Sequence, residues 1–77
     1  MRLFEKILNE KRVRENGVIV PMKTVLEEEV SALGLKSNNI LRRMITGKDV
    51  NSIANGTVIK MERRYGYSFE ELNAEVS

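Results

Sequence analysis

Residues 25–46 read VLEEEVSALGLKSNNILRRMIT, and this stretch decides the fold. Apolar side chains recur every three to four residues on both sides of Gly34, which predicts two amphipathic helices. A glycine between them predicts a helix end, because the chain can turn there with a positive φ. Gly47 ends the second helix in the same way. Two short helices joined by a tight turn are typical of a helix-turn-helix unit.

The second of these helices, predicted over residues 38–46, has a polar face that contains no acidic residue. Arginine can bond guanine and asparagine can bond adenine in the major groove of DNA, while Lys, Ser and Thr suit phosphates or base edges. Between Lys36 and Lys48 the chain has four cations and no acid, so this stretch forms a basic patch. Ser37 or Asn38 can cap this helix, and if one of Asn38 and Asn39 caps it, the other is free to reach a base.

The composition excludes several classes of function for this chain. The chain has 77 residues and a formal net charge of +2, and 42% of its residues are hydrophobic, which fits one small folded domain spanning residues 1–77. It contains neither Cys nor His, so disulfides, thiolate metal sites and Ser–His or Cys–His catalysis are excluded. We expect no enzymatic activity, no cofactor and no metal. Without an apolar run of about 20 residues or a signal peptide, we also expect no membrane segment and a cytoplasmic location.

Outward from the central unit, the N-terminal segment from Arg2 to about Arg12 has the apolar stripe of a helix. Residues 12–21 contain Asn16-Gly17 between valines, a strong turn signal, and are either a short β-hairpin or an irregular linker. In the hairpin, the alternating valines of this segment would share one face. Thr24, with Glu27 three residues later, predicts a capping box at the start of the next helix.

Towards the C-terminus, residues 48–55 are turn-rich, and Ser52 or Asn55 is expected to cap a helix that ends at Tyr65. A last short helix, Phe69 to Asn73, is predicted with Ser68 as its cap, and the tail from residue 74 is expected to fray. The complete prediction is an all-α domain of five helices. The charged groups Glu27–Glu29 and Lys60, Arg63 and Arg64 are expected to lie on solvated surfaces. For the three cations the alternative is a second phosphate-binding patch.

Two longer stretches of the sequence together resemble a known family. VLEEEVSALGLKSNNILRRMITGK (25–48) and NGTVIKMERRYGYSFEEL (55–72) are similar to the second to fifth helices of the lambda-repressor-like helix-turn-helix domain, also called the xenobiotic-response-element family. The chain departs from the pattern at Val30, where a smaller residue is usual. Its spacing from Gly34 to Gly47 is one residue longer, and Glu27–Glu29 crowd an end that usually meets phosphate.

The resemblance implies a sequence-specific, double-stranded DNA-binding transcriptional regulator, of the kind found in phages and mobile elements. Its partners would be duplex DNA and a second copy of the chain in a homodimer. The alternative is a protein-interaction module of the same fold, an antirepressor-like or antitoxin partner that binds another repressor protein. If the chain binds DNA, the resemblance places the family's base and phosphate contacts at Ser37, Asn38, Asn39, Arg42, Arg43 and Thr46. Lys36 and Lys48 would then contact the sugar-phosphate backbone at the flanks of the helix.

Overall fold

The computed structural model describes residues 1–76, and this part of the chain is a small all-α fold, as predicted. Within residues 1–76 the β-structure consists of two isolated antiparallel bridges, between Arg2 and Glu75 and between Val13 and Ile19. No helix of these residues has the length and apolar character needed to cross a bilayer. The helices are α1 (Leu3–Lys11), α2 (Met22–Leu33), α3 (Asn39–Thr46), α4 (Asn55–Tyr65) and α5 (Phe69–Asn73), with a short 3-10 helix at Val50–Ser52.

Helix α1 is the centre of the packing, since it contacts α2, α3 and α5, while α4 packs on α2 and α5. Phe4 and Leu8 of α1 are fully buried, and the ring of Phe4 meets the ring of Tyr65 edge-on at a centroid distance of 5.4 Å. The other helices each bring at least one buried apolar residue to the same core. These residues are Val25, Leu26, Leu33, Leu41, Met44, Met61 and Leu72, and Ile53 joins them from the segment before α4.

Two predicted helix starts were wrong. Helix α2 begins at Met22, so Thr24 lies inside its first turn and donates its backbone N–H to the carbonyl of Pro21 (3.0 Å). Proline suits this place because its fixed φ prepares the chain for a helix and its missing N–H is not needed there. Helix α4 follows Ala54, and neither Ser52 nor Asn55 caps it; the Ser52 hydroxyl donates to the carbonyl of Asp49 instead.

The segment between α1 and α2 is shaped like a hairpin without forming strands. Val13 and Ile19 make one antiparallel bridge, and Gly17 turns the chain with φ 82°. The predicted valine face does not form, because Val13 and Val18 are 57% and 52% exposed and only Val20 packs against the core. The turn signal was therefore correct, while an apolar hairpin face was not.

The chain ends pair with each other, so the predicted fraying is wrong for residues 74–76; Ser77 lies outside the described residues. Leu3 donates its N–H to the carbonyl of Ala74 (2.9 Å), and Val76 donates to Met1 (2.8 Å). Arg2 donates to the carbonyl of Asn73 and lies so close to Gly47 that a Cβ there would meet its guanidinium. Through Arg2, the paired chain ends therefore also contact the C-terminal end of α3.

The predicted Ser68 cap of α5 is confirmed, and Glu71 completes a capping box with it. The N–H of Glu71 donates to Ser68 Oγ (3.1 Å), and the N–H of Ser68 donates to Glu71 Oε1 (3.0 Å). The hydrogen bond from the backbone N–H of Ser68, together with the Ser68 side chain, holds the pKa of the Glu71 carboxyl below its usual value.

We expect Ser68→Ala to lower the free energy of unfolding by about 1 kcal/mol, because the N–H of Glu71 loses its acceptor. Ser68→Asp, which keeps an acceptor, should retain most of this stability. Ser31→Ala is a matched control, since Ser31 is an exposed residue of α2 and its side chain makes no hydrogen bond within residues 1–76. Urea unfolding of the variants measures the differences, and equal losses in the two alanine variants would contradict the capping role.

Candidate nucleic-acid interface

The connection between α2 and α3 is the turn that the sequence predicted. Gly34 follows α2 in the left-handed region (φ 69°, ψ 31°) and donates its N–H to the carbonyl of Ser31 (3.2 Å). The next N–H, of Leu35, returns to the carbonyl of Val30 (2.9 Å), which closes the helix end in the way a Schellman motif does. Residues 35–38 connect the two helices, and α3 starts at Asn39, one residue later than predicted.

Helix α3 has one buried and one exposed face. Leu41 and Met44 are fully buried in the core. Asn39, Arg42 and Thr46 lie on the solvent side, and their spacing of three and four residues places them on one side of the helix. This outer face contains one amide, one guanidinium and one hydroxyl, and it is the part of the predicted site that the fold brings together.

Hydrogen bonds to nearby residues orient side chains of α3 and of the segment just before it. Arg42 donates from Nε to Asn38 Oδ1 (3.1 Å), so Asn38 orients the arginine and does not cap the helix with its side chain. The Thr46 hydroxyl donates to the carbonyl of Arg42 (3.1 Å), one turn back. Of the predicted capping side chains, Ser37 makes the contact to the start of the helix: its Oγ accepts from the N–H of Asn39 at 3.4 Å.

Arg43 differs from its neighbour because its guanidinium is held by the loop that follows α3. It donates to the carbonyls of Lys48 (3.4 Å) and Asp49 and to the hydroxyl of Ser52. The side chain is half-buried, so its first role is to fix the loop that presents Lys48. Lys48 itself is exposed, as are Lys36 and Ser37 at the other end of α3.

The fold adds two residues to the predicted site: Thr57, which the sequence did not single out, and Lys60, which was expected on a solvated surface. Thr57 and Lys60 of α4 line the same shallow concavity as Lys36, Ser37 and Asn39. A Cβ placed on Gly34 would lie 3.9 Å from Lys60 Nζ, so this ammonium sits directly over the turn before α3. No local signal marks these residues, because only the packing of α4 brings them to the turn.

The three glutamates Glu27–Glu29 of α2 were expected to lie on a solvated turn, but one of them is buried. Glu29 is 3% exposed and accepts from Arg64 (2.9 Å at each carboxylate oxygen) and from the hydroxyl of Tyr65 (2.6 Å). Burial alone would raise the pKa of Glu29, but the hydrogen bonds from Arg64 and Tyr65 outweigh it and hold the pKa below its usual range. Glu28 pairs with Arg14 at the surface. Much of the negative charge of α2 is therefore balanced within the protein.

Comparison with known proteins adds no relative: no family model, curated protein or solved structure matches this chain.

Proposed function

We propose that this protein is a transcriptional regulator that binds double-stranded DNA sequence-specifically through α3, with residues 25–46 acting as a lambda-repressor-like helix-turn-helix unit. One observation carries the proposal: α3 presents Asn39, Arg42 and Thr46 on one face while Leu41 and Met44 fix its other face in the core. A helix anchored in this way can enter the major groove without leaving apolar surface in water.

In the proposed mechanism, α3 lies in the major groove, where its side chains contact base edges and the flanking residues contact the backbone. Arg42 would bond a guanine edge, with Asn38 limiting its rotamers, and Asn39 would bond an adenine edge. Lys36 and Lys48 would contact the sugar-phosphate backbone on either side. One such unit reads few base pairs, so we include a homodimer on a two-fold operator in the proposal.

The test is a fluorescence-anisotropy titration of the chain against a random duplex at several salt concentrations. We expect a dissociation constant of about 10⁻⁴ to 10⁻⁶ M that weakens steeply as salt rises. The double variant Asn39→Ala/Arg42→Ala should bind roughly tenfold more weakly or worse, because it removes the amide and the guanidinium, two of the three polar groups of the outer face. Arg43 stays unchanged in this variant, since it holds the loop after α3.

The matched control is Lys6→Gln, which removes an exposed cation from α1 and should change the affinity little. Circular dichroism confirms that each variant is folded before it is titrated. Absence of binding by the folded wild-type chain at about 50 mM salt would contradict the DNA proposal.

A second candidate function, binding to another protein such as a repressor, is favoured by the exposed apolar side chains of the turn before α2. Val13, Val18 and Ile19 are 57%, 52% and 67% exposed. Val13 and Ile19 lie opposite each other in the antiparallel bridge, and exposed apolar side chains that lie together mark protein-binding surfaces more often than nucleic-acid surfaces. Under this alternative, the same titration gives no salt-dependent signal with duplex.

A further inference from the structure

A second concavity continues the one beside α3. It lies between the end of α2 and the exposed side of α4, and it shares Gly34 and Lys60 with the first. Lys36 lines the first concavity, and Arg63 and Arg64 line the second. We call the continuous surface formed by Lys36, Gly34, Lys60 and Arg63 the basic trough.

The charge of the basic trough is unbalanced. Among the described residues, no Asp or Glu lines either of its two concavities. Lys36, Lys60 and Arg63 are exposed, and within residues 1–76 their side chains make no hydrogen bond or ion pair. Arg64 is excluded from this set because Glu29 holds its guanidinium. Three free cations in a concave surface raise the local concentration of anions.

The position of the basic trough indicates which anion it meets. Asn39 and Arg43 of α3 line one wall of the concavity that holds Lys36 and Lys60, so the trough runs directly into the proposed reading surface. Lys60 and Arg63 are one helical turn apart on α4, with Cβ atoms about 5–6 Å from each other, and therefore face the same side. A polyanion bound at α3 would pass along this side.

We propose that the basic trough binds the sugar-phosphate backbone of duplex DNA beside the base pairs that α3 reads, with Lys60 and Arg63 as its phosphate contacts. This inference rests on the proposed function. It extends the interface from α3 and its flanks to α4, and it assigns to Lys60 and Arg63 a role other than a solvated surface.

The salt dependence of binding tests this proposal, because each phosphate contact adds about 0.9 to the slope of log affinity against log salt concentration. The double variant Lys60→Gln/Arg63→Gln is titrated with random duplex between about 50 and 200 mM salt. We expect its slope to be shallower by roughly 1.8. Lys6→Gln, which neutralises an exposed lysine outside the trough, should keep the wild-type slope.

The other outcomes separate the two proposals. If Lys60→Gln/Arg63→Gln keeps the wild-type slope, the proposal that the basic trough binds phosphates is overturned. This holds even if Asn39→Ala/Arg42→Ala still weakens binding and so supports the role of α3. If Lys60 only stabilises the C-terminal end of α2, where a cation interacts favourably with the helix dipole, the double variant should have a lower melting temperature and an unchanged slope. That result would also overturn the trough. Failure of the wild-type chain to bind duplex would overturn both proposals.

Discussion

Replacing Glu29 by Gln is expected to lower the free energy of unfolding by roughly 2–3 kcal/mol at neutral pH. Removing one partner of a buried ion pair typically costs about 3–5 kcal/mol, because the other charge is left without compensation. The expected loss is smaller here, since the side chain of Arg64 is 36% exposed and can regain water. The amide oxygen of Gln can still accept from the hydroxyl of Tyr65, so the variant should fold.

The effect of Glu29 should also depend on pH in a defined direction. Its pKa in the folded protein lies below the ordinary value of 4.5, so the ion pair stabilises the fold fully above that value. This contribution is lost as the pH falls through the folded-state pKa. The stabilities of the wild-type chain and Glu29→Gln should therefore differ at pH 7 and converge as the pH falls below 4.5 and through the folded-state pKa.

Glu28→Gln is the matched control, because the neighbouring carboxylate is about half exposed and pairs with Arg14 at the surface. Exposed pairs of this type contribute about 0–1 kcal/mol. Urea unfolding of the three proteins at pH 7 and at about pH 3 measures both effects. Equal losses in Glu28→Gln and Glu29→Gln, or a loss for Glu29→Gln that does not change with pH, would contradict the role assigned to the buried pair.

The same residue shows why some of the fold could be predicted and some could not. Helix periodicity and helix-ending glycines are local features, so the presence of all five helices and the helix ends at Gly34, Gly47 and Tyr65 were predicted correctly, although two helix starts were not. Glu29 belongs to a run of three glutamates, and a run of charge is typical of a solvated helix face. Its partner Arg64 lies 35 residues away, so its burial follows from the packing of α4 on α2, which no local pattern contains.

The predicted site was only partly specified by the sequence, for a similar reason. The pattern from Lys36 to Lys48 predicted a basic surface, and the structure presents Asn39, Arg42 and Thr46 together. Two adjacent arginines look equivalent in the sequence, yet Arg43 turns to the carbonyls and hydroxyl of the following loop. The direction of each side chain depends on where residues 48–52 fold back, and sequence spacing alone does not specify this.

Helix α3 depends on the rest of the domain for its shape. It has only eight residues, and an isolated helix of that length is not stable in water. Its support comes from the burial of Leu41 and Met44, from Arg43 in the loop and from Arg2 against Gly47. The contacts of α1 with α3 link this surface to the core. Stability of the core and geometry of the proposed reading surface are therefore coupled.

Phe4→Ala is accordingly expected to cost more stability than any other single core substitution, about 3–5 kcal/mol. The phenyl ring is 0% exposed, and it lies on α1, against which α2, α3 and α5 pack. The substitution removes its edge-on contact with Tyr65 and leaves a cavity. A domain of this size has a total stability of about 4–12 kcal/mol, so we expect a measurable fraction of the variant to be unfolded at room temperature.

Phe4→Leu keeps the test quantitative, because it retains part of the volume and should cost only about 1–2 kcal/mol. In thermal unfolding each kcal/mol lowers the melting temperature by about 4–8 °C. Ile19→Ala is the control, since Ile19 is 67% exposed and its truncation should change stability by less than about 0.5 kcal/mol. Both residues are large and apolar in the sequence, and only their burial separates them. Similar losses in Phe4→Leu and Ile19→Ala would therefore place the core elsewhere than around α1.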